Sequence, residues 1–271
     1  LHLRTWSCPT RPRAGLAFVH GQGDHSGRYA RTASWFTTHG FECVAVDLRG
    51  HGLSGGRRGH LVRFTDYLAD VDALMTAAHT RMPELPVFVV GHSMGALVSF
   101  RWCIERGAHA EVRGVALSSP FIRLALPVPS WKLTPARVLS RIYPSFTMPT
   151  GIPLEYLTSD SALVRETAGD PLYGTPATAR WFTETVAAQQ TVLARAGEVR
   201  LPLLFVVAGG DRLVDPDAAR QLHDAATGAP REWHCYPSME HEVFNEVRRE
   251  DVYRDMLTWI ETLLGDTPGV H

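Results

Sequence analysis

The 271 residues predict an α/β protein, built on a mostly parallel sheet with helices on both faces. Three observations carry that prediction. Short, continuous apolar runs recur along the chain, as at Leu85-Pro86-Val87-Phe88-Val89-Val90, and this is how a strand buried on both faces reads. Between such runs lie stretches with apolar residues at helical spacing, such as Phe64, Tyr67, Leu68, Val71, Leu74 and Met75. Finally, Gly91-His92-Ser93-Met94-Gly95 joins a strand directly to a helix, with glycines where the two would crowd each other.

Taken in order, residues 1–6 alternate like a strand and 15–19 form a second, so the chain is expected to open with an antiparallel hairpin across the turn at 8–13. A loop rich in glycine follows at 20–29, then a helix to about Gly40. Residues 41–46 read as a buried strand ending in a turn-rich loop at 47–56, and 64–82 as a helix. After the Gly91–Gly95 junction, apolar residues Leu97, Val98, Trp102 and Ile104 hold helical spacing until Gly107. Further strands are expected at 112–117, 201–208 and 232–236, and helices at 216–226 and 250–264.

Residues 120–178 break the alternation. Many of the chain's prolines (among them Pro127, Pro129, Pro135, Pro144, Pro149 and Pro153) and a dense apolar cluster (Phe121, Ile122, Leu124, Leu126, Val128, Trp131) stand there without a clean strand signal. An insertion at this point lands over the carboxyl ends of the strands, where open α/β sheets bind ligands. The expected organisation is therefore a core of 1–119 and 179–271 carrying a cap at 120–178. Phe121, Ile122, Leu124, Leu126 and Trp131 are expected to line its substrate tunnel.

Composition narrows the function. With 45% hydrophobic and 20% charged residues and a formal net charge of −1, nothing recruits nucleic acid or an anionic surface over long range. The four cysteines are scattered without a Cys-x-x-Cys pair, so neither a zinc site nor a disulfide framework is expected, and a reducing, cytoplasmic setting is. No run approaches the ~20 apolar residues of a membrane span. Gly21, Gly23 and Gly27 miss the spacing of a dinucleotide fingerprint by one, and His241-Glu242-Val243-Phe244-Asn245 lacks the second histidine of a zinc-protease helix. No cofactor and no metal are expected.

A serine hydroxyl is a weak nucleophile at neutral pH and needs a base whose tautomer is fixed by a third group. Ser93 sits on the tight turn, His241 in the loop after the last strand, and Asp211 and Asp215 after the strand before it. This order, serine, acid, histidine, is that of the nucleophile-elbow fold. Asp211 is preferred as the acid because it follows the Gly209-Gly210 turn, whereas Asp215 fits the cap of a helix opening at Pro216. The backbone N–H groups of Met94 and Gln22 are expected to form the oxyanion hole. His20 is read as holding its loop, and His92 as pointing away from the chemistry.

The 20–29 and 47–56 loops, Met94 after the serine, Asp211-Arg212-Leu213-Val214-Asp215 and His241-Glu242-Val243-Phe244-Asn245-Glu246 together resemble the monoacylglycerol lipase and lysophospholipase branch of the α/β-hydrolases, which includes serine aminopeptidase-like members. Leu139-Ser140-Arg141 and Asp170-Pro171-Leu172 extend the resemblance into the cap. It implies Ser93 as nucleophile, Asp211 as acid, His241 as base, and Gln22 and Met94 as oxyanion donors. It also implies a tunnel for one acyl chain under a cap that opens toward membrane or micelle. The expected activity is cofactor-independent hydrolysis of single-chain lipid esters, monoacylglycerols first. The alternatives are a lysophospholipase or general medium-chain esterase, an aminopeptidase using Glu155, Asp160 or Glu166 to bind an amine, or a binding protein without turnover.

Overall fold

Strand β4 (Val87–His92) turns Val87 and Val89 into the apolar cluster on one face of the sheet and Phe88 and Val90 into the cluster on the other, and all four are fully buried. That two-sided burial is possible only with helices on both faces. A computed structural model describes residues 1–107, 111–125, 130–148 and 151–265. Within them, β1 (His2–Trp6), β2 (Ala14–Val19), β3 (Phe41–Asp47), β4, β5 (Val112–Ser118), β6 (Leu203–Ala208) and β7 (Arg231–Tyr236) form one sheet in the order β1-β3-β2-β4-β5-β6-β7. Every pairing is parallel except β1 with β3.

The expected opening hairpin is corrected here. β1 pairs with β3 and not with β2, because β2 already has parallel neighbours on both edges, β3 and β4. β1 is left to cover the outer edge of β3.

On one face, α2 (Thr65–Arg81), α3 (Met94–Arg106), α6 (Ala179–Arg195) and α7 (Pro216–Ala225) bury Tyr67, Leu97, Trp102, Val192 and Leu222 against the sheet. On the other, α1 (Ala30–Thr38) and α8 (Arg249–Leu264) bury Phe36, Tyr253, Met256 and Trp259. Between β5 and α6 the chain leaves the sheet. It forms α4 (Ser130–Ile142), which packs on α6 with a Ser140 to Thr183 hydroxyl contact of 2.7 Å, and α5 (Ser161–Ala168), begun by an Asp160 N-cap. It returns through a two-residue pairing of Thr147–Met148 with Ala177–Thr178. Among the described residues no helix is long and apolar enough to cross a membrane. The loops after β2, β4, β5, β6 and β7 all open at the carboxyl edge of the sheet, and the excursion lies there with them.

Candidate active site

Gly91 and Gly95 explain how a serine comes to project from the end of β4. A Cβ on Gly91 would lie 2.6 Å from the Gly95 carbonyl oxygen and 2.8 Å from the Ala96 Cα, and one on Gly95 would fall against the carbonyl oxygens of Val19 and His20. Strand and helix pass this closely only because both side chains are missing. Ser93 between them takes φ 52° and ψ −115°, a backbone conformation that is costly for a residue with a Cβ. The surroundings hold it there. Its N–H donates to the Ser118 carbonyl at 2.8 Å, and its carbonyl accepts from Ala96, Leu97 and Phe121 at 3.1–3.2 Å.

Ser93 Oγ lies 2.9 Å from Nε2 of His241, and Nδ1 of His241 lies 2.6 Å from Oδ2 of Asp211. A carboxylate only accepts, so Nδ1–H donates to Asp211 and Nε2 is left to accept from the serine hydroxyl. The other oxygen of Asp211 accepts the N–H groups of Leu213 and Val214, at 2.8 and 2.9 Å. Tight backbone packing sets the loop: a Cβ on Gly209 would lie 2.7 Å from the Pro237 Cα, and one on Gly210 2.9 Å from the Met239 carbonyl oxygen. Asp215 is engaged elsewhere. It caps α7 by accepting from Asp217 at 2.9 Å and pairs with Arg123 at 2.7 Å.

Gln22 lines the same cavity as Ser93, and Met94 follows Ser93 in the chain. Met94 is the first residue of α3, so its N–H lacks an intrahelical acceptor, and the Gln22 loop is so close that a Cβ on Gly21 would meet the Ser93 Cβ at 3.3 Å. Among the described residues no backbone or side-chain acceptor takes either N–H.

The serine opens into a cavity of about 540 Å³. Its polar end is Gln22, Asp24, His92, His241 and Glu242, and its apolar wall includes Phe121, Leu124, Ile152, Trp181, Phe182, Leu213 and Val214. Of the expected tunnel residues, Phe121 and Leu124 line it. Ile122 does not: its side chain is buried in the apolar core cluster, against which Phe121 packs while also lining the cavity. Leu126 and the side chain of Trp131 lie outside the described residues. Leu124 is held in place by an antiparallel bridge to Val214, so the start of the excursion is tied to the Asp211 loop. Two further corrections concern residues passed over. His92 does not point away; it lines the cavity with its ring 4.8 Å from that of His241. Trp181 and Phe182 were signalled only by two adjacent aromatics at the head of a helical run.

The family model described as serine aminopeptidase, S33 matches residues 10–248. The chain belongs to this family. It is 32% identical to a monoacylglycerol lipase of Mycolicibacterium smegmatis, over 94% of this chain and 90% of that protein. It is also 30% identical to the phospholipase YtpA of Bacillus subtilis, over 92% of this chain and 95% of the relative. Among solved structures it resembles the monoacylglycerol lipase of Paleococcus ferrophilus, with a TM-score of 0.83, 25% identity, and coverage of 98% of this chain and 100% of that one. The fold is that of the α/β-hydrolases.

In this S33 hydrolase, burial by itself would lower the pKa of His241, but the charge and hydrogen bond of Asp211, with Glu242 and Asp24 nearby, outweigh it and raise the pKa. Burial would raise Asp211, and His241 together with the Val214 and Leu213 N–H groups hold it below the usual carboxylate range. His92 is kept neutral by burial and by the neighbouring His241, and its Nδ1 meets the Ser118 hydroxyl at 3.0 Å. His20 is neutral for the same reason, pushed down to about 4; its Nε2 accepts from Leu48 N–H and Nδ1–H donates to the Gly21 carbonyl at 2.7 Å. Beside His241, buried Arg28 grips Glu242 with two bonds of 2.8 and 2.7 Å, lies 3.4 Å from Asp24 and reaches Thr167 at 3.1 Å. Burial still pushes Asp24 up to about 6. His25 meets Asp170 at 2.7 Å, so the loop after β2, the loop after β7 and the α5 region are linked through these charges.

Proposed function

We propose that this chain is a serine carboxylester hydrolase of single-chain lipid esters, with monoacylglycerols as the first substrate class and lysophospholipids as the second. The observation that carries the reading is the Ser93–His241–Asp211 relay at the polar end of a cavity walled by apolar side chains. Ser93 Oγ attacks the ester carbonyl as His241 Nε2 takes its proton, and the imidazolium is stabilised by Asp211. The carbonyl oxygen becomes an oxyanion facing the N–H groups of Gln22 and Met94. Collapse expels the alcohol, which takes the proton from His241, and water then releases the fatty acid by the same steps.

The names of the bacterial relatives support the lipid ester class. Against the aminopeptidase alternative, Glu155, Asp160 and Glu166 are absent from the cavity lining, and Asp160 and Glu166 are paired with Arg249 and Arg31. The acids that do line it, Asp24 and Glu242, are countered by Arg28.

In this reading residues 120–178 are the cap, with Phe121 and Leu124 in the acyl wall. Exposed Val138, Ile142, Tyr143 and Phe146 are its contact with membrane or micelle. The four unpaired cysteines support a reducing, cytoplasmic setting.

The test is fluorophosphonate labelling together with hydrolysis rates for monoacylglycerols, lysophosphatidylcholine, p-nitrophenyl esters and aminoacyl amides. Ser93→Ala and His241→Ala are expected each to remove at least about 10³-fold of turnover with circular dichroism unchanged. A folded Ser93→Ala variant that still hydrolyses esters would overturn the reading.

A further inference from the structure

The side-chain amide of Gln22 bridges two other segments. Its Oε1 lies 3.1 Å from Nε2 of His51, in the loop after β3, and its Nε2 donates toward the carbonyl oxygens of Thr175 and Pro176 at 3.4 and 3.5 Å. Thr175 and Pro176 lie where the 120–178 excursion returns to the sheet. That return is seated closely. Gly174 N–H donates to the Gly23 carbonyl at 2.9 Å and Thr178 N–H to the Gly59 carbonyl at 3.0 Å, while a Cβ on Gly59 would collide with the Pro176 carbonyl. The returning chain thus runs between the loop after β2 and the loop after β3.

We propose that Gln22 is a positioning residue: its side chain, clamped between His51 and the returning segment, aligns its own backbone N–H toward Ser93 only while that segment is seated. The inference rests on the reading of the Gln22 N–H as an oxyanion donor. Gln22 is flanked by Gly21 and Gly23, the latter at φ 73°, so the backbone on both sides is intrinsically permissive. The Gly21 carbonyl of that peptide is held locally by His20 Nδ1–H at 2.7 Å and Asp24 N–H at 3.4 Å, and the Gln22 side chain adds the tie to His51 and to the returning segment.

Proton accounting gives the clamp a signature. The Thr175 and Pro176 carbonyls only accept, so the amide NH₂ faces them and Oε1 faces His51. His51 is buried and neutral, pushed down to about 3, so it has one proton for two facing acceptors, Gln22 Oε1 at Nε2 and the Arg49 carbonyl at Nδ1, each at 3.1 Å, and the clamp is closed in the tautomer with the proton on Nε2. When the segment lifts or the amide is lost, the proton is free to move to Nδ1 and satisfy Arg49.

The experiment compares wild type with Gln22→Met, which keeps the length and loses the amide, and Gln22→Glu, which sets a carboxylate against two carbonyls. kcat and KM are measured separately on p-nitrophenyl octanoate. Inhibition by a trifluoromethyl ketone, which forms an oxyanion on Ser93, is measured beside them, with the ¹⁵N shifts of His51. In both variants kcat is expected to fall about tenfold, part of the loss typical of a missing oxyanion donor, with KM within about twofold. Ketone affinity should weaken by the same factor as kcat/KM, and in Gln22→Met the His51 proton should move from Nε2 to Nδ1. Unchanged kcat and ketone affinity in Gln22→Met would overturn the inference. So would a loss shared equally by kcat, KM and melting temperature, which marks general damage. If wild type itself fails to label at Ser93, the underlying hydrolase reading fails; if it labels and Gln22→Met matches it, only the positioning role does.

Discussion

At the scale of single residues, two aspartates four positions apart do different work. Asp211 meets His241 at 2.6 Å, while Asp215 caps α7 and pairs with Arg123. Asp211→Asn is expected to lower kcat by roughly 10³-fold or more with the fold kept, because an amide does not stabilise the imidazolium and selects the wrong tautomer. Asp215→Ala should leave kcat within a few-fold and cost about 1 kcal/mol of stability, the usual loss of an N-cap. Steady-state kinetics beside urea melts separate the two, and exchanged phenotypes would show that the acid is misassigned. The pH profile follows from the same geometry. On the proposed mechanism His241 must be neutral to act as base, and its pKa is raised, so kcat/KM should rise with pH through a midpoint above 6.5. In Asp211→Asn the raising charge is gone while burial remains, so the midpoint of the residual activity should move down.

At the scale of elements, α6 has two jobs. Its inner side packs on α3, its outer side carries α4, and its first turn puts Trp181 and Phe182 into the cavity wall. If that wall holds the acyl chain, it contributes roughly 0.8 kcal/mol per buried methylene, and kcat/KM should climb from acetyl through octanoyl to dodecanoyl esters. Leu124→Glu and Phe182→Glu should flatten that climb and leave acetyl esters nearly untouched. An equal loss at every chain length, with a lowered melting temperature, would mean that these residues only pack the excursion onto the core. α4 itself was hard to see in the sequence, since Pro135 lies inside it and proline removes a helical donor. Neighbouring prolines then make the whole stretch look like loop.

At the scale of the whole molecule, three neutral histidines are buried around the carboxyl edge of the sheet. His20 is pushed down to about 4, His51 to about 3 and His92 well below 6.5, each chiefly by burial. Between pH 6.5 and about 4 the unfolded chain binds protons at these sites that the folded one refuses, so stability rises with pH across that window and is lost on acidification. Asp24, raised to about 6, and His241, raised above 6.5, oppose this. The melting temperature should therefore drop steeply from pH 7 to pH 5, and a flat profile would show that these rings are hydrated.

The sequence by itself determined the alternation of strands and helices, the tight turn that raises Ser93, and the succession of loops carrying Asp211 and His241. Those features are written within about ten residues each: side-chain period, a glycine pair, a turn after an apolar run. Only the tertiary structure decided that β1 pairs with β3, that Ile122 turns into the core while Phe121 faces the cavity, and that His92 stands beside His241. The same holds for the cavity wall, drawn from Phe121, Trp181 and Val214, and for the Gln22 amide between His51 and Thr175. The physical reason is separation. A contact between residues 29 or 153 positions apart is selected by how whole elements pack, and no local pattern in the chain encodes it.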